Sequence, residues 1–311
     1  MEQGRSRWAV GTVGTVAALV AGLALPALAV AAEPARVANG EPDNDTQLSV
    51  LTPAEAAFMQ LKQTLADSIG SAAQGANGGK GQIVQPSYQC EFDPCEGVPP
   101  PPPGPPPPAT PSSKMLETRP RQQITYYNCG PAAGQVVINY SRGIVVASRS
   151  KAGAEDTSIN WRKQSTIAGW MKTTTDGTGG ANVAVGLNRS DAVLKPVPDW
   201  VYSYDNTGSR SNFHNIVVAD IATYGMPVVV ATAPHQANAG ANYLPSWPTE
   251  YDGAHHWITV RGYSGLPGST APTMSYNDSS GGYGGSTGTF SVLVSVLWQV
   301  NDWNQGGHLI W

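Results

Sequence analysis

The chain is predicted to be an α+β protein, because helical patterns come first in its C-terminal part and strand patterns follow. Apolar residues recur at helical spacing over 129–141 and 212–225. Residues 227–233 form a short continuous apolar run, which is typical of a buried strand. Residues 256–264 alternate between apolar and polar side chains, as half-buried strands do. We therefore expect helices and a sheet in a single domain.

The first 32 residues have the pattern of a secretory signal peptide. Arg5 and Arg7 form a short basic lead, and residues 8–30 are almost entirely apolar or small. A membrane anchor is the alternative, since about 20 apolar residues can span a bilayer. Pro26 and the small residues that follow it favour cleavage. We therefore expect residues 1–32 to be a signal peptide and the protein to be secreted and extracellular.

Charged residues are scarce in the chain. Asp, Glu, Lys and Arg make up 13% of the 311 residues, and the formal net charge is −4. A typical soluble domain has about 25% charged residues. There is no basic patch or acidic run, so the sequence predicts neither a nucleic-acid partner nor an anionic lipid surface. No later segment is long and apolar enough to cross a membrane, so we expect no stable membrane insertion after signal cleavage.

Residues 33–98 form an N-terminal region with one predicted amphipathic helix. Thr52 can cap this helix, Pro53 suits its first position, and Glu55 completes a capping box. Gly70 is the predicted stop. Four apolar residues are predicted to share one face of the helix: Phe58, Leu61, Leu65 and Ile69. Such a helix must dock on another part of the chain, because it cannot bury its own apolar face.

A proline-rich segment over residues 99–113 separates this region from the rest of the chain. Residues 99–108 are nine prolines around Gly104, a composition that favours a polyproline II spacer without a core. It sets the boundary of a domain predicted over residues 114–311. The tether and its single helix suggest that residues 33–98 are an inhibitory prosegment that folds back on this domain.

The predicted domain alternates helical and strand patterns. Its helix candidates are 129–141, 165–173, 181–188 and 212–225. Its strand candidates are 227–233, 256–264 and 273–278. Residues 287–300 are predicted to be a strand followed by a short helix.

The three cysteines divide into a pair and a single residue. Cys90 and Cys95 lie close together in "CEFDPC", a spacing that can close a disulfide ring in an oxidising compartment. Cys129 is then left unpaired. Three cysteines without suitably spaced histidines cannot form a structural zinc site, and we expect no metal and no cofactor.

Cys129 heads a predicted helix and is followed by Gly130 and Pro131, which the first turn tolerates. A thiol at a helix N-terminus lies at the positive end of the helix dipole, which favours the nucleophilic thiolate. A buried inert cysteine is the ordinary alternative. An odd cysteine in an exported chain, placed at a helix entrance, favours a nucleophile.

A cysteine nucleophile needs a base, and His256 is the best placed histidine because it begins an alternating strand. The pair His255 and His256 could instead bind a metal, although adjacent strand residues point to opposite faces. Asp278 ends the next predicted strand and could orient the imidazole from a neighbouring antiparallel strand. Asp278 could equally be a turn residue, since it lies in "NDSSGG".

Two further features surround this predicted site. The backbone N–H of Cys129 and the amide of Gln123 could form an oxyanion hole, with Gln122 as the rival donor. The glycine-rich segment 281–288 lacks the Gly-Lys-Ser/Thr ending of a phosphate-binding loop. We interpret it as a mobile loop beside Asp278, with a lid as one option.

Three segments, in order, resemble motifs of papain-like cysteine peptidases, with the bacteriocin-processing-like family (family C thirty-nine-like) as the most similar group. They are "QITYYNCGPAAGQVV", "HHWITVRGYS" and "MSYNDSS". The resemblance covers roughly residues 115–311 and implies a papain-like α+β fold, with the cysteine helix packed on an antiparallel sheet that carries His and Asp. It also implies the roles of oxyanion donor for Gln123, nucleophile for Cys129, general base for His256 and orienting partner for Asp278.

The sequence therefore predicts an exported cysteine peptidase or related amide hydrolase that acts on a peptide or protein through a thioester acyl-enzyme. Two alternatives remain at this point. The fold could be a catalytically inactive binding module for peptide or cell-wall polymer, which the low charge and the many Trp residues would suit. It could also be a transglutaminase-like acyl transferase, which uses the same Cys-His-Asp chemistry with an amine in place of water.

Overall fold

The structure is a computed structural model that describes residues 51–76, 109–144, 151–155, 163–234, 243–247, 255–304 and 307–311. The predicted signal peptide, the Cys90–Cys95 disulfide and most of the proline-rich segment lie outside these residues. Across the described ranges, none of the helices combines the length and the apolar character needed to cross a membrane.

The described chain has a run of four helices over residues 129–187 and a run of four strands over residues 228–293. The helices are α1 (Pro53–Ala76), α2 (Cys129–Ser141), α3 (Lys151–Glu155), α4 (Gln164–Trp170), α5 (Gly180–Leu187), α6 (Arg210–Ala219) and α7 (Val294–Asp302). The strands are β1 (Ser113–Met115), β2 (Tyr204–Asn206), β3 (Val228–Thr232), β4 (His256–Ser264), β5 (Thr273–Asp278), β6 (Gly288–Leu293) and β7 (His308–Ile310).

The strands form one antiparallel sheet in the order β2-β7-β3-β4-β5-β6, and β1 pairs with the end of β4. The predicted α+β class is confirmed, with the helix that begins at Cys129 packed on the sheet that carries His256 and Asp278. Every periodic segment predicted after residue 128 corresponds to an observed element. The short elements β1, α3, β2 and β7 were not predicted, because three to five residues show no periodicity.

The sheet separates two apolar layers, because successive strand residues point to opposite faces. On one face, Val228 and Val230 join the core formed with α1, α6 and α7. On the other face, Val229 and Ala231 join the core formed with α2, α4 and α5. Helix α1 therefore packs mostly on the face opposite to the helix that carries Cys129, although its residue Phe58 joins the core on the Cys129 side.

Helix α1 begins as predicted and ends later than predicted. The Glu55 N–H donates to the Thr52 hydroxyl at 3.2 Å, and the Thr52 N–H donates to the Glu55 carboxylate at 3.0 Å, which is a capping box. The predicted stop at Gly70 is wrong, since α1 continues to Ala76. Gly70 instead allows α1 to approach α6, because a Cβ at this position would overlap the Asn215 amide.

The packed face of α1 includes Phe58, Leu65 and Ile69, as predicted, but not Leu61. Leu61 is 52% exposed, whereas the neighbouring Lys62 is fully buried. The Lys62 ammonium lies 3.3 Å from the Asp220 carboxylate and also faces the rings of Trp200 and Trp311. Burial lowers the pKa of Lys62 to about 8, against the opposing effect of Asp220. Burial likewise raises the pKa of Asp220 to about 6, although Lys62 opposes that rise.

The start of helix α1 packs on aromatic residues near the start of β3. Phe58 makes edge contacts with the rings of Trp200 and Tyr224, and Tyr224 lies just before β3. His256 pairs with Thr232 at the opposite end of the same strand. Phe58 therefore lies near the end of β3 that is remote from His256, and the rest of α1 packs along α6.

Candidate active site

Cys129 is the first residue of α2 and carries a buried free thiol. The loop before it is held by a 2.8 Å hydrogen bond from the Thr125 hydroxyl to the Asn128 side chain. Gly130 fits tightly against Thr178, where a Cβ would make a contact too short to tolerate. The N–H of the first helical residue has no partner within the helix, so the Cys129 N–H is available to a ligand in this geometry.

His256 begins β4 and is buried. Its carbonyl accepts a 3.0 Å hydrogen bond from the Thr232 hydroxyl. The next residue, Trp257, donates its indole N–H to the Thr178 carbonyl at 2.9 Å. Trp257 and Ile258 belong to the cores on opposite faces of the sheet, as predicted. These contacts hold the strand, and with it the imidazole, in one position.

The structure brings Cys129, His256 and Asp278 together. The Nε2 of His256 lies 2.9 Å from Oδ1 of Asp278. The Cys129 thiol interacts with the same imidazole and, together with Asp278, raises its pKa. Because Nε2 faces Asp278, Nδ1 is the ring nitrogen left for the sulfur. The strand pairing explains this proximity, since Thr259 in β4 lies opposite Asn277 in β5.

Asp278 both ends β5 and begins a turn, so the two interpretations of its sequence context hold at once. It is buried, and four donors surround its carboxylate. Oδ1 accepts from His256 and from the Ser280 N–H at 2.8 Å. Oδ2 accepts from the Ser246 hydroxyl at 2.6 Å and from the Trp247 indole at 3.0 Å.

The electrostatics of this pair favour the charged forms. Burial on its own would lower the pKa of His256, but the Asp278 carboxylate and the Cys129 thiol raise it to about 10. Burial would raise the pKa of Asp278, but the charge of His256 and the hydrogen bonds from His256, Ser246 and Ser280 hold it below its usual value. An imidazolium facing a carboxylate is therefore the stable state near neutral pH.

Sequence reasoning missed Ser246 and Trp247. Both lie in the described loop 243–247, and the Trp247 ring is 5.1 Å from the His256 ring between centroids. The segment "LPSWP" has neither periodicity nor a charged residue, so no pattern connected it to the site. Only the fold brings it beside Asp278.

The two candidate oxyanion glutamines have different contacts. The Gln123 amide nitrogen donates to the carbonyls of Thr125 and Tyr126 at 3.0 and 3.1 Å, so it shapes the loop that leads to Cys129. The Gln122 amide nitrogen donates to the Gly281 carbonyl at 2.6 Å. Neither amide hydrogen bond is directed to a ligand position in this state.

The segment around Gln123 is held from both sides. The buried Gln164 accepts from the Ile124 N–H at 3.0 Å and donates to the Gln122 carbonyl at 2.9 Å. The Gln123 N–H donates to the Ser279 carbonyl at 2.9 Å. These bonds connect helix α4 to the turn after β5 through the residues that precede Cys129.

The glycine-rich loop makes hydrogen bonds within itself and to the segment before Cys129, and its predicted mobility stays a prediction. Tyr283 donates its hydroxyl to the Ile124 carbonyl at 2.8 Å, and the Gly281 N–H donates to Thr287 at 3.0 Å. Gly282 and Gly284 have φ values of 81° and 102°, which favour glycine. The loop thus lies next to Asp278, as predicted.

The other described histidines have partners outside the site. His214 faces the Gly265 carbonyl at 3.2 Å, and burial lowers its pKa to about 4. His255 lies 2.7 Å from the Asn304 side chain, and His308 packs on the Tyr204 ring. Within the described ranges, no group of three or more potential ligands could hold a metal ion.

The chain resembles solved structures of papain-like cysteine proteases at low similarity. One is a recombinant stem bromelain precursor, with 15% identity, 65% of this chain and 70% of that chain covered, and a TM-score of 0.33. Another is the bromelain protease from Ananas comosus in complex with the E64 inhibitor, with 13% identity, 65% and 98% covered, and a TM-score of 0.32. A third is digestive procathepsin L 3 from the Tenebrio molitor larval midgut, with 12% identity, 65% and 70% covered, and a TM-score of 0.34. Likeness at this level carries no argument about activity.

No curated protein matches the chain. The model of the Peptidase_C39 like family, in contrast, matches residues 115–290, which is more than half of the chain and contains all the predicted catalytic residues. The resemblance predicted from the motifs is therefore confirmed: the chain belongs to the Peptidase_C39 like family of cysteine peptidases.

Proposed function

We propose that the protein is an exported cysteine peptidase that cleaves peptide bonds through a thioester on Cys129. One observation carries this proposal: the buried His256 imidazole interacts with the Cys129 thiol, which helps to raise its pKa, and is hydrogen-bonded to the Asp278 carboxylate at 2.9 Å. This is the geometry of an activated nucleophile, in which a third group orients the base.

The first half of the proposed reaction forms the acyl-enzyme. His256 holds the proton of the Cys129 thiol, and Asp278 stabilises the resulting imidazolium. The thiolate attacks the carbonyl carbon of the substrate, and the carbonyl oxygen becomes an oxyanion. His256 then donates its proton to the leaving amine as the C–N bond breaks, which leaves a thioester on Cys129.

The second half regenerates the enzyme. His256, now neutral, accepts a proton from water, and the hydroxide attacks the thioester carbonyl. The C–S bond breaks, the carboxylic acid leaves, and the proton on His256 again faces the Cys129 thiolate. Asp278 stays ionised throughout, since its role is to orient the ring and stabilise its charge.

The oxyanion donors proposed for both halves are the Cys129 N–H and the Gln123 amide. Gln123 is favoured over Gln122 because its amide hydrogen-bonds the loop that ends at Cys129, whereas Gln122 is bound to Gly281. Gln123 would exchange one carbonyl partner for the oxyanion. That exchange would make its contribution specific to the transition state.

Residues 1–32 support export, and residues 33–98 stay a hypothetical prosegment. Helix α1 packs on α6, and its Phe58 contacts Tyr224 near the end of β3 that is remote from His256. The rate of the full chain on one substrate, compared with the rate of the fragment 114–311, tests inhibition. Equal rates contradict it.

Alkylation and cleavage together test the proposed function. Iodoacetamide near neutral pH should label Cys129 faster than it labels a free thiol, as measured by peptide mass spectrometry. Cys129→Ala should retain the fold by circular dichroism and lose all cleavage of a peptide library. Labelling at the rate of an ordinary thiol, or cleavage by Cys129→Ala, would refute the proposal. A primary amine added to the assay reports whether acyl transfer competes with hydrolysis.

A further inference from the structure

Ser246 connects Asp278 to a second hydroxyl group. The Ser246 hydroxyl donates to Oδ2 of Asp278 at 2.6 Å, and the Tyr276 hydroxyl lies 2.9 Å from the same serine oxygen. All three side chains are buried. A serine hydroxyl has one hydrogen, and here it is directed to the carboxylate, so Tyr276 must donate to Ser246. The hydrogen bonds therefore run in one direction, from Tyr276 through Ser246 to Asp278, and reinforce one another.

The glycine-rich loop holds Ser246 in this position. The Ser286 N–H donates to the Ser246 carbonyl at 2.8 Å. Gly285 packs against the side chains of Ser280 and Trp247, and a Cβ at this position would overlap Ser280. The loop thus closes around the segment that presents the hydroxyl to Asp278.

The two oxygens of Asp278 have separate tasks in this arrangement. Oδ1 accepts from His256 and from the Ser280 N–H, whereas Oδ2 accepts from Ser246 and Trp247. The terminal torsion of an aspartate is broad, so a carboxylate held at one oxygen alone can rotate. The bonds to Oδ2 prevent this rotation, and therefore they set the direction in which Oδ1 meets the imidazole.

We propose that Ser246 is a positioning residue for the peptidase reaction, because its hydroxyl fixes the Asp278 carboxylate in the orientation that holds His256 towards Cys129. This inference rests on the proposed function of Cys129 and His256. Ser246 acts on the reaction through Asp278 and the imidazole, and its backbone is supported by the glycine-rich loop.

The acid side of a pH profile distinguishes this role from a purely structural one. The titratable groups facing Asp278 among the described residues are His256, directly, and Tyr276, through Ser246. The Ser246 hydrogen bond is one of the contacts that lower the pKa of Asp278. Without it that pKa rises, so Asp278 takes up its proton at higher pH. The acid limb of any activity that needs ionised Asp278 must then move to higher pH.

Ser246→Ala in the full chain tests the proposal. We expect kcat to fall on the order of tenfold, the loss typical of one hydrogen bond to a charged group, with KM within about twofold. The acid limb of the kcat profile should move to higher pH. Ser246→Thr, which retains the hydroxyl, should restore most of the rate and the original limb. Tyr276→Phe should produce a smaller change in the same direction.

Ser275→Ala is the matched control, since it removes another buried serine hydroxyl from the strand that carries Asp278. It should leave kcat and the acid limb unchanged. A cycle with Asp278→Asn adds a second test. In the Asp278→Asn background, Ser246→Ala should not lower kcat further, because the charge that Ser246 contacts is already gone.

Unchanged kcat and an unmoved acid limb in Ser246→Ala would overturn the proposal. A tenfold loss of kcat when Ser246→Ala is added to Asp278→Asn would also overturn it. The rate of Cys129 alkylation by iodoacetamide against pH needs no substrate. If the wild type cleaves no peptide, the proposed function fails, while the alkylation limb of Ser246→Ala still decides the role of Ser246.

Discussion

Asp278 and Asp220 are both fully buried beside a basic side chain, yet they behave differently. Asp278 accepts four hydrogen bonds, and its pKa is held below the usual value. Asp220 has the Lys62 ammonium at 3.3 Å, and its oxygens accept no well-aligned hydrogen bond from any other described residue. Burial accordingly raises the pKa of Asp220 to about 6.

The comparison shows that a counter-charge alone does not offset the burial of a carboxylate. Asp278 has the charge of His256 and, in addition, hydrogen bonds that lower its pKa further, whereas Asp220 has Lys62 alone. A carboxylate with two donors on each oxygen stays ionised in a low-dielectric site. A buried ion pair without such donors retains most of its desolvation cost. The first arrangement suits a catalytic group, whereas the second joins α1 to the domain.

Asp278→Asn should have the largest effect. The amide keeps an oxygen for His256 but removes the charge, so kcat/KM should fall by about 10²- to 10⁴-fold. The pKa of His256 should also fall, because the carboxylate that raises it to about 10 is gone. The alkaline limb, where the imidazolium loses its proton, should then move to lower pH. A pH series of kcat/KM measures both changes, and an unmoved alkaline limb would contradict the assigned pairing.

Lys62→Met should be the most destabilising change outside the site. It leaves Asp220 buried without a counter-charge, which costs about 3–5 kcal/mol of unfolding free energy. Urea unfolding at pH 7 measures this loss. The kcat of the folded protein should be unchanged, since α1 packs on α6 and its Phe58 lies near the end of β3 that is remote from His256.

The double variant Lys62→Met with Asp220→Leu is the matched control. An apolar pair of similar volume should recover the stability of the wild type or exceed it. Below pH 6 Asp220 holds its proton more firmly in the folded state, so the wild type loses stability relative to the double variant as pH rises from 3.8 to about 6. Lys62 releases its proton more readily when folded, so the wild type regains stability from about 8 to 10.5. A difference in unfolding free energy between the wild type and the double variant that stays constant with pH would contradict the burial of Lys62 and Asp220.

Leu61→Ser should have the smallest effect. Leu61 is half exposed, so the change in unfolding free energy should stay within about 0.5 kcal/mol. Phe58→Ser on the same helix is the comparison, because Phe58 packs on Trp200 and Tyr224. Similar losses for the two variants would contradict the observed orientation of α1.

Periodic segments and local chemistry were predictable from the sequence. Helix α2 begins at Cys129 as expected, because the apolar spacing and the Gly-Pro turn act within a few residues. The placement of His256 and Asp278 on adjacent strands was also predicted. Hairpin-like neighbours in sequence often pair in space, so a separation of 22 residues is readily bridged.

Long-range partners were not predictable in the same way. Lys62 was not expected on the buried face, because a charged side chain is buried only when a distant group such as Asp220 accepts it. Ser246 reaches Asp278 across 32 residues of sequence and has no local pattern. The short strand β7 forms because β2 and β3 flank it, which is a property of the assembled sheet.

The hydrogen bonds around Gln123 have a consequence for turnover. Gln164 from the helical side and Ser279 from the sheet side both hydrogen-bond residues 122–124. A hinge motion between the helices and the sheet would therefore have to break these bonds together. The conformational entropy of arranging sulfur, imidazole and carboxylate is then lost once, when the chain folds. Each substrate molecule meets a geometry that is already formed.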